Sequence, residues 1–226
     1  MATSQTLRVE LHCHTYHSGD CRMRPERMIR TCLERGINAL AVTDHNKFDG
    51  ALEMQALAPE GFTVIPAEEI KTSEGEIIGY FLREYIPRGL SPEETAQRVR
   101  EQGGVVNVPH PFDTLRGNPL SPDALDRLVR QGLVDMIEGL NARITRPEDN
   151  DAARRYAQSY GLPVTAGSDA HSYAEIGTAW MELRAFDGPR DFVEAVREGR
   201  LCGGLSPWPV HFVSTWAKVA KKVGLK

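Results

Sequence analysis

The chain has 226 residues, 41% of them hydrophobic and 26% charged, with a formal net charge of −4 at pH 7. That size and balance belong to a soluble globular protein whose core needs no disulfide or structural metal to stay folded. The acidic balance argues against broad, sequence-independent nucleic-acid binding, and no stretch approaches the ~18 consecutive apolar residues of a membrane span. The opening Met1-Ala-Thr-Ser-Gln-Thr6 lacks the charged-then-apolar layout of a signal peptide. Cys13, Cys21, Cys32 and Cys202 show no CxxC spacing, so a cytoplasmic protein with free thiols and no membrane contact is expected.

Short aliphatic runs alternate with helical patterns along the chain. The first expected strand, residues 7–11, precedes a helix opened by Pro25, in which Met28, Ile29, Cys32 and Leu33 share a face and Gly36 supplies the C-terminal turn. Strands are expected at residues 38–43, 62–66, 77–82, 105–108, 134–137, 163–166 and 179–183. Ser91-Pro92-Glu93-Glu94 combines an N-cap serine, a proline in the first turn and a glutamate three residues on, and Ser121-Pro122 repeats the start signal. About seven strand–helix units fill residues 1–206, which points to a single α/β domain with a largely parallel sheet. Residues 207–226 read as an amphipathic helix packed on that domain, with Phe212, Val213, Trp216, Val219 and Val223 opposite Lys218, Lys221 and Lys222.

The histidines fall, with acidic companions, just after expected strands. His12-Cys13-His14 and Asp20 follow the first, Asp44-His45-Asn46 the second, and Glu68-Glu69 the third, with Glu76 beyond. Asn107-Val-Pro-His110 and Asp169-Ala170-His171 follow later ones. Residues two apart on an extended segment point to the same side, so His12 and His14, or Asp169 and His171, can grip one ion. In a barrel all strand carboxyl ends open on one face, where residues distant in sequence converge. Imidazole and carboxylate without thiolate suit Zn, Mn or Fe, and this many ligands exceeds what one ion accepts. Two or three divalent ions are expected, an arrangement suited to phosphate-ester hydrolysis.

The ordered set His12-x-His14-Thr15 with Ser18-x-Asp20, Thr43-Asp44-His45-Asn46, Ile65-Pro-x-x-Glu69-Ile70, His110-Pro111 and Gly167-Ser-Asp169-x-His171 resembles the successive motifs of the PHP (polymerase and histidinol phosphatase) family of metal-dependent phosphoesterases. The resemblance covers residues 7–171. It implies a distorted (β/α)7 TIM-like barrel, single-domain and α/β in class, with a two- or three-metal site at the strand carboxyl ends. By position, His12, His14, Glu69 and Asp169 resemble the ligands of a first ion. Glu69 resembles a bridge to a second ion, which His110 also holds, while Asp20, His45 and His171 resemble the ligands of a third. Glu76 stands where members commonly carry a histidine. It can ligate a hard divalent ion, or the second ion is weakly held or absent.

Asp44 neighbours a ligand and can orient it or relay a proton; the alternative is a carboxylate capping the next helix. Arg143 follows the strand ending near Ile137, and its fork suits a pair of phosphate oxygens; Lys47 and Arg116 are weaker candidates of the same kind. His17 and His211 are not expected to be ligands. The expected reaction is hydrolysis of a phosphomonoester or phosphodiester by a metal-activated hydroxide. The substrate is a small phosphorylated molecule: a nucleotide, a short oligonucleotide or a metabolite phosphate. Alternatives are a metal-dependent amidohydrolase and a non-enzymatic, metal-binding regulatory module.

Overall fold

A computed structural model describes residues 6–115 and 118–207. Its elements run β1 (Leu7–Glu10), α1 (Pro25–Glu34), β2 (Ala39–Val42), α2 (Asp49–Leu57), β3 (Thr63–Thr72), β4 (Gly75–Tyr80), α3 (Pro92–Glu101) and β5 (Val105–Val108). They continue with α4 (Pro122–Arg130), β6 (Met136–Asn141), α5 (Pro147–Ser159), β7 (Val164–Gly167), β8 (Ala179–Leu183), α6 (Gly188–Glu198) and β9 (Arg200–Gly203). Helix starts follow the expected chemistry. Ser91 and Ser121 accept hydrogen bonds from the backbone N–H groups of Glu94 and Ala124, at 3.1 and 3.2 Å, and proline occupies the first turn of both helices.

The strands form one sheet in the order β7-β6-β5-β4-β3-β2-β1-β8-β9. Beyond β1 and β7 the chain continues as an isolated parallel bridge between Cys13 and Ala170. There His14 N–H donates to the Ala170 carbonyl at 3.1 Å and Asp169 N–H to the His12 carbonyl at 2.8 Å. Strands β1 to β7 therefore curl into a nearly closed barrel, joined where the His12 and Asp169 segments meet. β8 pairs antiparallel with the start of β1, and β9 with β8, as a side extension. Alternation puts Ile65, Ala67 and Glu69 on one face of β3. Ile65 and Ala67 pack in one apolar cluster with Val9, Ala41, Ile78 and Ala166. Val42, Ile70, Met28 and Met54 join the second cluster, which includes residues of the surrounding helices.

The barrel departs from strict strand–helix repetition. A tight turn joins β3 to β4, which runs antiparallel to both β3 and β5, and β7 reaches β8 without a helix. β3 also runs six residues past the expected end at Pro66: proline lacks a donor, but its carbonyl accepts from Leu82 N–H at 3.1 Å, so the strand continues through it. Glu68, Glu69 and Glu76 consequently lie inside strands rather than in a loop. β6 likewise extends past Ile137 to Asn141, with a register shift between Glu138 and Leu140. The expected tail helix and Arg116 lie outside the described residues.

Candidate metal centre

Glu69 is the hub. It is 1% exposed, and its Oε1 lies 3.1 Å from His110 Nε2. Its Oε2 lies 3.3 Å from His12 Nε2, 3.4 Å from His14 Nε2 and 3.0 Å from His45 Nδ1. Asp169 Oδ1 sits 3.4 Å from His14 Nε2, 3.9 Å from His12 Nε2 and 3.4 Å from His171 Nδ1. Asp20 faces His171 Nε2 at 3.4 Å and His45 Nε2 at 3.6 Å. Four overlapping groups have ligand atoms within 4.8 Å of one another: His14, His45, His171; His12, His110, Asp169; His12, His14, Glu69; and His45, Glu69, Glu76. All nine residues singled out as ligands in the sequence are thus gathered in one place. Glu76 gets there because β4 is antiparallel: its first residues lie beside the last residues of β3, at the end where the parallel strands finish.

The residues fit metal ions. His14 Nε2 and His110 Nδ1 are buried with no hydrogen-bond partner, the condition in which an imidazole lone pair is available to a cation. Burial, with the His171 and His45 rings nearby, pushes the His14 pKa down to about 3, so this ring is neutral at ordinary pH. His45 moves the other way. Burial alone would lower it, but Glu69 and Asp20 carry it up to about 10, while Glu138 and Glu69 similarly overcome burial to raise His12. Burial favours the neutral form of Glu69, yet His45 and His12 hold it well below the usual carboxylate range. Burial and the Glu69 charge together raise Glu76. The cluster thus carries more negative charge than it can keep without cations, and protons on imidazole supply some of them.

Contacts behind the rings set which nitrogen faces inward. Asp44, on the segment after β2, accepts from Thr15 N–H and Oγ1–H at 2.6 and 2.5 Å and from Ser18 Oγ–H at 2.9 Å. Ser18 Oγ, its proton committed to Asp44, accepts from His45 N–H at 2.9 Å and lies 3.2 Å from His14 Nδ1. His14 Nδ1–H therefore donates outward and leaves Nε2 for the cluster. Asp44 acts on the ligands through Ser18 and Thr15. It does not cap α2, whose N-cap is Phe48 with no side-chain hydrogen bond. His171 Nδ1 lies 2.8 Å from the Asp169 carbonyl oxygen. His110 and Asp169 both have positive φ, 27° and 53°, a strained backbone typical of functional sites.

Arg143 is buried at the wall of the cluster. Its Nε faces Glu175 Oε1 at 3.1 Å, and its Nη1 lies 3.4 Å from the Asp169 carbonyl and against His171 Nδ1. Glu175 Oε2 in turn accepts from His171 N–H and Ser172 Oγ–H at 3.2 and 2.7 Å. Lys47 stands apart, lining an outer cavity of about 440 Å³ with Phe48, Leu52, Arg83 and Tyr85. His17 pairs with Glu53 at 2.7 Å, away from the ligand groups. Glu138 and Glu175 were not among the residues expected from sequence. Both are buried carboxylates, and Glu138 had a visible signal: a single acid in the apolar run Met136-Ile-Glu-Gly-Leu140.

A model of the PHP-associated family matches residues 147–201. An uncharacterised protein of Methanocaldococcus jannaschii is 34% identical over 200 residues, covering 84% of this chain and 79% of its own length. The chain belongs to the PHP family. A protein of Caldicellulosiruptor bescii, provisionally named a phosphatase, is 24% identical over 207 residues, covering 76% of this chain and 82% of its own. Among solved structures, a Bifidobacterium adolescentis protein provisionally described as a metal-dependent phosphoesterase superposes with a TM-score of 0.62 at 19% identity, covering 73% of this chain and 88% of that one. An amidohydrolase from Chromobacterium violaceum, solved with bound sulfate, gives 0.60 at 17% identity over 72% and 87% of the two chains. The chain shares its fold with both of these proteins.

Proposed function

We propose that this PHP-family protein is a phosphoric ester hydrolase acting on a small phosphorylated molecule, with two or three Mn, Zn or Fe ions held by His12, His14, Asp20, His45, Glu69, Glu76, His110, Asp169 and His171. The observation that carries the reading is the buried Glu69 carboxylate, with His110 on one oxygen and His12, His14 and His45 on the other. A carboxylate reached from both sides suits a bridge between neighbouring cations. Bound there, the ions would acidify a water and offset the charge of the phosphate oxygens. The chain's own contribution is positional. Asp44 holds the Thr15–Ser18 turn, so that His14 and His45 keep fixed orientations. Glu175 anchors Arg143 by its Nε, and this guanidinium at the wall of the cluster is the group we assign to a phosphate oxygen. Low solvent access strengthens each of these electrostatic contacts. Three cysteines buried as thiols support a reducing compartment, the cytoplasm.

Elemental analysis of the purified protein, paired with hydrolysis of an aryl phosphate and a bis-aryl phosphate after restoring Mn, Zn or Fe, tests this reading. We expect two or more bound ions and turnover of one ester class, reduced at least about a hundredfold in Asp169→Ala. Turnover of an aryl amide with neither phosphate hydrolysed would favour the amidohydrolase alternative. The absence of bound metal under every condition would overturn both.

A further inference from the structure

We infer that Glu138 of β6 is the residue that positions His12 and His110 together, an inference that rests on the metal-centre reading above. Glu138 is 1% exposed. Its Oε1 lies 2.9 Å from His12 Nδ1. Its Oε2 accepts from the His110 backbone N–H at 2.9 Å and from Asn141 Nδ2 at 3.0 Å, and the same Asn141 amide reaches Asp169 Oδ2 at 3.3 Å. Glu138 thus ties the segment after β1 to the segment after β5 and, through Asn141, to the segment after β7. The contacts also specify the chemistry of the residue: backbone N–H and an amide N–H₂ are donors, so they require acceptors. A carboxylate, with two acceptor oxygens and no donor, meets both oxygens' demands, and His12 must then donate from Nδ1. A glutamine of the same shape would turn an N–H₂ group toward a donor on one side or the other.

Two consequences follow for the site. With Nδ1–H donated outward, His12 keeps Nε2 as the nitrogen that would face an ion, on the side where Glu69 and Asp169 flank it at 3.3 and 3.9 Å. Glu138 Oε2 also pins the peptide of His110, whose φ of 27° would otherwise relax toward the usual negative range. The approach is tight on its other side too: a Cβ placed on Gly167 would meet His12 Cβ at 2.3 Å and Glu138 Oε1 at 2.9 Å, so the carboxylate and the ring have little room to reorient.

The test reads metal affinity and the His12 ring rather than turnover, so it can fail while hydrolysis stands, and can succeed where no ester is cleaved. In full-length zinc-loaded protein labelled with ¹⁵N-histidine, His12 should coordinate through Nε2 and show a slowly exchanging, strongly downfield Nδ1 proton. In Glu138→Gln that proton should move upfield, and Mn²⁺ affinity, measured by chelator competition, should fall about 10- to 100-fold. Glu10→Gln is the matched reference, because Glu10 is equally buried and accepts from the backbone N–H groups of His12, Ser168 and Gly177 without touching the His12 ring. It should lower the melting temperature while leaving the His12 Nδ1 proton in place. Coordination of the wild-type His12 through Nδ1 would overturn the proposal, and this spectrum decides the matter even if Glu138→Gln does not fold. Wild-type Mn²⁺ affinity in a folded Glu138→Gln would overturn it equally.

Discussion

At the scale of single residues, the cluster depends on groups that stand behind its rings. Asp44 is fully buried, and burial raises its carboxyl against the hydrogen bonds from Thr15 and Ser18. Its position depends on an absence: a Cβ on Gly50, in the first turn of α2, would fall 2.0 Å from Asp44 Oδ2 and 2.6 Å from Thr15 Oγ1. Alanine normally stabilises a helix over glycine by about 1 kcal/mol. Here overpacking a buried network should outweigh that by costing roughly 1–3 kcal/mol, so Gly50→Ala should lower the denaturation midpoint and loosen metal retention together. A more stable variant would show that the Asp44 network yields freely. The nine candidate ligands were legible because histidines with acidic companions fall just after aliphatic runs rather than scattered over helix surfaces. Glu175 was not, because an acid beyond a strand looks like a solvent-facing residue until its partners are known, and the lone acid Glu138 in an apolar strand marked a buried carboxylate without showing what it holds.

At the scale of elements, alternation of aliphatic runs and capped helices gave the parallel framework, and the serine caps at Ser91 and Ser121 fall where their chemistry demands. What the pattern hid was the turn at residues 73–74, which converts a strand–helix unit into a hairpin. The turn is held by Gly75, whose φ of 128° is open to glycine and strained for other residues. A Cβ there would also strike the Pro119 carbonyl oxygen and Leu120 Cα, each at 2.4 Å. Gly75→Ala should therefore destabilise by roughly 2–4 kcal/mol through backbone strain and a clash that no side-chain rotation relieves. Since Glu76 is the next residue, the same variant should lose one bound ion before the others when metal content is followed during dialysis. Uniform loss of all metal, or none, would mean that the turn does not control the Glu76 position.

At the scale of the whole molecule, the barrel collects its charge at one end and must balance it. Among the groups there, His45 is raised to about 10 and His12 is also raised by Glu138 and Glu69 acting against burial. A histidine whose folded pKa lies above its unfolded value stabilises the fold fully below about 6.5, and that contribution fades as pH rises toward the folded value. Without metal, then, the barrel should weaken from neutral toward alkaline pH as His45 loses its proton beside Glu69 and Asp20. Divalent ions act in the opposite sense. They need neutral imidazoles, so loading must expel the protons that balance the carboxylates, and affinity rises with pH over this range. Because an ion that binds only the folded chain stabilises it by about 2.7 kcal/mol at a hundredfold excess over Kd, the two trends combine in one observable. The rise in melting temperature on adding Mn²⁺ should be larger at mildly alkaline than at mildly acidic pH, and proton release on metal addition should appear in weakly buffered solution. A rise independent of pH would mean that the ions bind without displacing protons, and the balance of charge around Glu69 would then need another source.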